Sequence, residues 1–120
     1  MEYVDGYVVP VKKKGIAAYR RIARRAARVW LDHGALAYRE CVAEDMKNQW
    51  GMTFPKLTKI KKDETVVFAW IVFKSRKHRD RVNARVMQDP RMNPKDFDPK
   101  DMPFDCKRMT YGGFTTIVNA

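Results

Sequence analysis

The chain predicts an α+β fold of order β-α-β-β-α-β, in which one antiparallel sheet carries two helices on a single face. Three observations lead there. Residues Thr65 to Phe73 read Thr-Val-Val-Phe-Ala-Trp-Ile-Val-Phe, a β-branched and aromatic run that is apolar on both faces. Tyr19, Ile22, Ala23, Ala26, Val29, Trp30 and His33 recur at three- and four-residue intervals, with Arg20, Arg21, Arg24, Arg25 and Arg28 on the opposite side. Between such segments the hydrophobic period changes back and forth between that of a strand and that of a helix.

Tyr3 to Val11 is rich in β-branched and aromatic residues and stops at Lys-Lys-Lys-Gly, which reads as the first strand. The arginine-faced helix begins near Ile16, and Gly34 follows His33 in the left-handed position that closes a helix. Ala35 to Ala43 reads as the second strand. Residues 44–63 fit no regular period, yet they contain Trp50, Phe54 and a lysine cluster, so this excursion is expected to pack against the rest of the chain. The Thr65 run is the third strand. Ser75 is a suitable cap for a second helix with Val82, Val86 and Met87 at helical spacing, and Pro90 forbids its continuation past Asp89. Asn93 to Asp105, rich in Pro and Asp, is expected to be a covering loop. Met109 to Val118 closes the sheet, with Gly112-Gly113 marking a bulge or a close backbone approach.

This order is the ferredoxin-like arrangement. Right-handed crossovers put both helices on one face of the sheet, which leaves Phe68, Trp70 and Tyr38 to be covered on the other. An apolar patch of that size marks an interface, so a homodimer packed sheet to sheet, enclosing a cavity, is expected.

Composition sets the outer bounds. The 120 residues suit a single domain spanning 1–120, with 45% hydrophobic and 32% charged residues. The N-terminus shows no basic stretch followed by an apolar run, and the longest apolar stretch is too short to cross a bilayer. Cys41 and Cys106 are then expected as free thiols of a cytoplasmic protein, behaving as small apolar side chains rather than nucleophiles. The formal charge of +11 comes partly from eight basic residues between Gly6 and Leu31 that no acidic residue interrupts. Such clustering suits polyanions, with Arg21, Arg24, Arg25 and Arg28 the nucleic-acid candidates, but a solvated helix face is the ordinary reading.

Several segments together resemble a known family: Tyr3-Val4-Asp5-Gly6-Tyr7-Val8-Val9-Pro10, His33-Gly34-Ala35-Leu36, Tyr38-Arg39-Glu40-Cys41, Asp89-Pro90-Arg91-Met92, and Met102 through Phe114. The chain resembles the DUF1428 family of small bacterial proteins over nearly its whole length. The resemblance implies a dimeric α+β barrel, but the family has no assigned reaction and no catalytic residues to carry over. Related barrels include monooxygenases that act on an activated aromatic substrate without a metal. In such barrels the segment after the second helix lies near the pocket mouth, which would bring Arg91 to an anionic ligand.

Motif chemistry adds little. His33 and His78 have no partner at ligand spacing, and no metal or cofactor is expected. Strand alternation suggests a ligand pocket between the paired sheets, formed by Phe68, Trp70, Tyr38 and Glu40, with Asp5 and Arg91 at its margin. In a dry cavity a carboxylate among aromatic rings can serve as a general base. Asp5 and Glu40 are equally open to ion pairs with Arg39, Arg91 or Arg108. The sequence thus supports a small-molecule-binding protein or cofactor-independent enzyme, with a nucleic-acid binder and a structural or regulatory dimer as alternatives.

Overall fold

The computed structural model describes residues 1–93 and 102–120. Strand β1 (Tyr3–Lys12) leads through one 3-10 turn into α1 (Ile16–Asp32), then β2 (Ala37–Val42), a short α2 (Phe54–Thr58), β3 (Glu64–Phe73), α3 (Arg76–Gln88) and β4 (Thr110–Thr115). The sheet order is β2-β3-β1-β4 with every neighbouring pair antiparallel. This is the ferredoxin-like arrangement expected from sequence, with β2 and β4 as edges.

Register decides which residues face the helices. Val9, Val11, Val67, Ile71 and Phe73, the odd-numbered positions of β1 and β3, form the core with Tyr19, Ala23 and Val29 of α1 and Val82 and Val86 of α3. The even-numbered positions, Val4, Gly6, Val8, Phe68, Trp70 and Val72, lie on the opposite face, because Val4 pairs with Val72 and Gly6 with Trp70.

Helix ends follow the sequence cues. The Ser75 side chain accepts a hydrogen bond from the His78 backbone N–H at 3.1 Å, and Gly34 takes a φ of +111° just beyond the end of α1. At the end of α3, Asp89 accepts from the backbone N–H of Arg91 and pairs with the Arg91 guanidinium at 2.7 Å and with His33 Nε2 at 2.8 Å. Arg91 also reaches Asp32 at 2.8 Å, tying the ends of both long helices together.

The Arg91 guanidinium holds the Asp89 carboxyl well below the usual carboxylate range, with the Arg91 backbone N–H and His33 adding to the effect. A folded pKa below the unfolded value of about 3.9 means that this stabilisation is present at neutral pH and is lost as acid is added below that value. Asp89→Asn is therefore expected to lower the melting temperature at pH 7. The gap from wild type should narrow as pH falls from about 5 toward 2.

Residues 44–63 do pack, though only in part. Thr53 caps α2, and Phe54 lies 6.1 Å from the Phe68 ring, placing α2 against the sheet face away from α1 and α3. Trp50 stays 85% exposed. The expected covering loop falls largely on residues 94–101, outside the described residues, but Met102 to Phe104 do cover the core. Pro103 is buried against Gly15, and the Phe104 ring meets Tyr19 edge-on at 5.5 Å. At Gly113 the approach is close and there is no bulge: the β1–β4 ladder is unbroken, and a Cβ there would collide with the Tyr3 ring and hydroxyl.

Candidate functional site

The expected pocket does not assemble as drawn. In the β2–β3 ladder Tyr38 pairs with Ile71, Arg39 with Trp70 and Glu40 with Ala69. Even-numbered residues of β2 therefore share a face with odd-numbered residues of β3. Tyr38 and Glu40 face the helices, whereas Phe68 and Trp70 lie on the open face, 5.4 Å apart between ring centres. The sheet separates two pairs that the sequence reading had placed together.

Asp5 also faces the helices, but it is not an available base. Only 3% exposed, it takes a hydrogen bond from Arg79 at 2.7 Å and another from Asn83 at 3.3 Å. Its partner is Arg79 rather than Arg39, Arg91 or Arg108. Arg108 forks onto Glu64, and Arg91 is bound to Asp89 and Asp32. That double pairing removes Arg91 as a free anion ligand. Cys41 and Cys106 are free thiols, both exposed rather than packed in the core.

What the fold builds instead is a cleft of about 430 Å³ between α1 and the sheet, also lined by Met102, Phe104, Cys106 and Met109. Apart from Glu40, its described walls carry no Asp, Glu, Lys or Arg; they are aromatic (Tyr7, Tyr19, Trp30, Tyr38, Phe104) or aliphatic and sulfur-bearing. Ala23 and Ala26 of α1 and Ala69 of β3 supply the room, since each leaves a methyl group where a larger side chain would fill the space.

Glu40 sits at the centre of the polar part. The Tyr19 hydroxyl donates to Oε1 at 2.6 Å and the Tyr38 hydroxyl to Oε2 at 2.8 Å. Among the described residues no cation pairs with it, while six ion pairs form elsewhere. A carboxylate has about four acceptor positions, and two phenols use two of them. Burial, then the Glu40 charge, pushes the Tyr19 and Tyr38 hydroxyls far above the usual tyrosine range, so both remain donors at neutral pH. Burial does the same to Tyr7, with Asp5 next in effect. On the far side of this hydrogen-bonded bridge, a second opening of about 350 Å³ shares Tyr19, Ala23, Tyr38 and Glu40 and carries Arg20 and Arg24 at its rim.

Sequence reasoning missed Tyr19, Tyr7, Trp30 and Phe104 as cleft residues. A cue was present for Tyr19. A tyrosine on the apolar stripe of a helix must still satisfy its hydroxyl, and the carboxylates of the neighbouring strands were the available acceptors. Of the nucleic-acid candidates, Arg21, Arg24, Arg25 and Arg28 are all exposed along α1.

The comparisons with known proteins agree with this architecture. "Uncharacterized protein YbaA" of Escherichia coli strain K12 is 44% identical over 119 residues, 99% of each chain. The protein of that name in Shigella flexneri is similar to the same extent. Among solved structures, an uncharacterized NIPSNAP domain protein from Burkholderia xenovorans has a TM-score of 0.56 at 11% identity, covering 98% of this chain and 97% of its own; this likeness concerns the fold alone. The family described as Protein of unknown function (DUF1428) matches residues 2–106, and with relatives this similar along their full length, the chain belongs to the DUF1428 family.

Proposed function

We propose that the protein binds a small molecule with an apolar body and a hydrogen-bond donor in the cleft between α1 and the sheet, as a homodimer joined through the opposite sheet face. The single observation behind the binding reading is the Tyr19–Glu40–Tyr38 bridge facing an apolar cleft. A few convergent polar groups in an apolar cavity are what orient a small ligand. Glu40, with acceptor capacity left over, can take a hydrogen bond from a bound molecule or remove a proton from it, so the same geometry serves a binding protein or a cofactor-independent enzyme. A cytoplasmic location suits the free thiols.

The test is a thermal-shift screen with small neutral aromatic compounds. A hit present at 100 times its dissociation constant should stabilise the fold by about 2.7 kcal/mol. Binding should move the Trp30 indole N–H resonance, which marks the inner wall, and should be lost in Ala26→Phe, which fills the cleft. Hits indifferent to Ala26→Phe, or no hits at all, would count against the cleft.

The arginines along α1 keep the nucleic-acid reading in view, but the exposed face has no aromatic residue interleaved for stacking on bases. Binding to DNA or RNA is expected to be weak and to vanish near physiological salt. Submicromolar affinity persisting there, and lost when Arg21, Arg24, Arg25 and Arg28 are changed to Gln, would reverse this reading.

A further inference from the structure

We propose that the ligand of the cleft is an organic cation, an aromatic or aliphatic amine whose ammonium group is held by Glu40. This rests on the cleft being a ligand site and adds the chemical class. Three features of the lining argue for it. Glu40 is the one Asp, Glu, Lys or Arg among the described residues of the cleft wall, so the described lining places a carboxylate in the cleft with no counter-ion beside it. Its carboxylate keeps about two acceptor positions after the two tyrosine bonds, matching the donors of an ammonium group. The wall beside it is aromatic, with the Trp30 and Tyr38 rings packed against each other, their centres 6.1 Å apart and their planes inclined at 47°. Ring faces are electronegative and attract cations once water is excluded.

An anion would meet the opposite situation, because entering the cleft brings it against Glu40 and the ring faces. Arg20 and Arg24 do not change that balance. They are exposed, line only the outer opening, and are screened by solvent, whereas the inner cleft is walled by apolar groups. A neutral alcohol can donate one hydrogen bond to Glu40 but supplies no charge, so it should rank between the two.

The experiment compares three probes of matched shape, 2-naphthylmethylamine, 2-naphthalenemethanol and 2-naphthoate, by calorimetry on the full-length protein at pH 7. The amine is expected to bind at least ten times more tightly than the alcohol, with naphthoate not detectably bound. In Glu40→Gln, checked for an unchanged melting curve, the amine's advantage over the alcohol should disappear. If that variant does not fold, the wild-type ranking of the probes decides. Alcohol binding equal to amine binding, both lost in Ala26→Phe, would overturn the cation assignment while leaving the cleft as a ligand site. Naphthoate as the tightest probe would overturn it in favour of Arg20 and Arg24. No binding by any of the three would overturn the assignment, and an empty neutral-fragment screen would then overturn the cleft as well.

Discussion

Trp70→Asp is expected to convert a dimer into a monomer. In light scattering the wild-type protein should have about twice the 14.1 kDa mass of one chain. The substitution should weaken association at least 100-fold, about 2.8 kcal/mol at about 1.4 kcal/mol per tenfold. The open sheet face gives the reason. Phe68 is 44% exposed and Phe114 62% exposed on it, in a sheet whose other face is already filled by α1 and α3. Trp70 lies in a cross-strand row with Gly6, over which the Phe114 ring leans, and Gly112, above which the face is open, so a shallow depression lies at Gly112. A second copy can fill such a depression, and an aspartate there would be an unpaired charge taken out of water. The short α2 packs on one end of this face, leaving the end with Trp70 and Phe114 for the partner. A wild-type protein that remains monomeric at micromolar concentration would leave this apolar face without its proposed partner.

Element type was legible along most of the chain because each signal was local. The arginine stripe on α1, the Ser75 cap, Pro90 after Asp89 and the apolar run of β3 each reflect physics acting within about four residues. Which face each strand presents was a different kind of question. For β2 it depends on the register against β3, where paired residue numbers sum to an odd value, so even positions meet odd ones. That register is set by how residues 44–63 fold back, through α2 and the turn before Glu64, and no periodicity within β2 reports it. One residue of slip would have placed Glu40 beside Trp70. The actual register places it beside Ala69, under α1.

The same limit explains why Tyr38 and Glu40 were visible as candidates while the residues around them were not. A carboxylate and a tyrosine on β2 were visible as candidates, and they remain together as the Tyr38–Glu40 hydrogen bond. Tyr19 comes from 21 residues earlier and Phe104 from the far end of the chain. Arg91 looked like a ligand residue because a free arginine near a pocket mouth attracts anions. In the structure two aspartates engage it, Asp32 at the end of α1 and Asp89 just beyond the end of α3.

Arg79→Met is expected to destabilise the folded chain by about 3–5 kcal/mol, the usual cost of removing one member of a buried ion pair. That is a large part of a typical total stability of about 5–15 kcal/mol. Asp5 is 3% exposed on the central strand, and Arg79 approaches it at 2.7 Å while lying over the Tyr3 ring at 4.9 Å. Without the guanidinium, Asn83 is the remaining partner of the carboxylate among the described residues, at 3.3 Å, and an amide donor does not neutralise a charge. Urea unfolding at fixed protein concentration measures the loss, with concentration held constant because the proposed dimerisation would contribute to stability. Changing both residues, as Asp5→Leu with Arg79→Met, should recover most of it, since an apolar pair leaves no charge behind. A single-variant cost under about 1 kcal/mol would mean that water reaches Asp5 and that the pair is not a buried one. The effect should also extend to the cleft between α1 and the sheet. Asn83 bonds to Asp5 on one side and accepts from the Trp30 indole at 2.9 Å on the other, so the Asp5–Arg79 pair helps hold one aromatic wall of the cleft in place. In folded Arg79→Met, the Trp30 indole N–H resonance should therefore shift or broaden before any ligand is added.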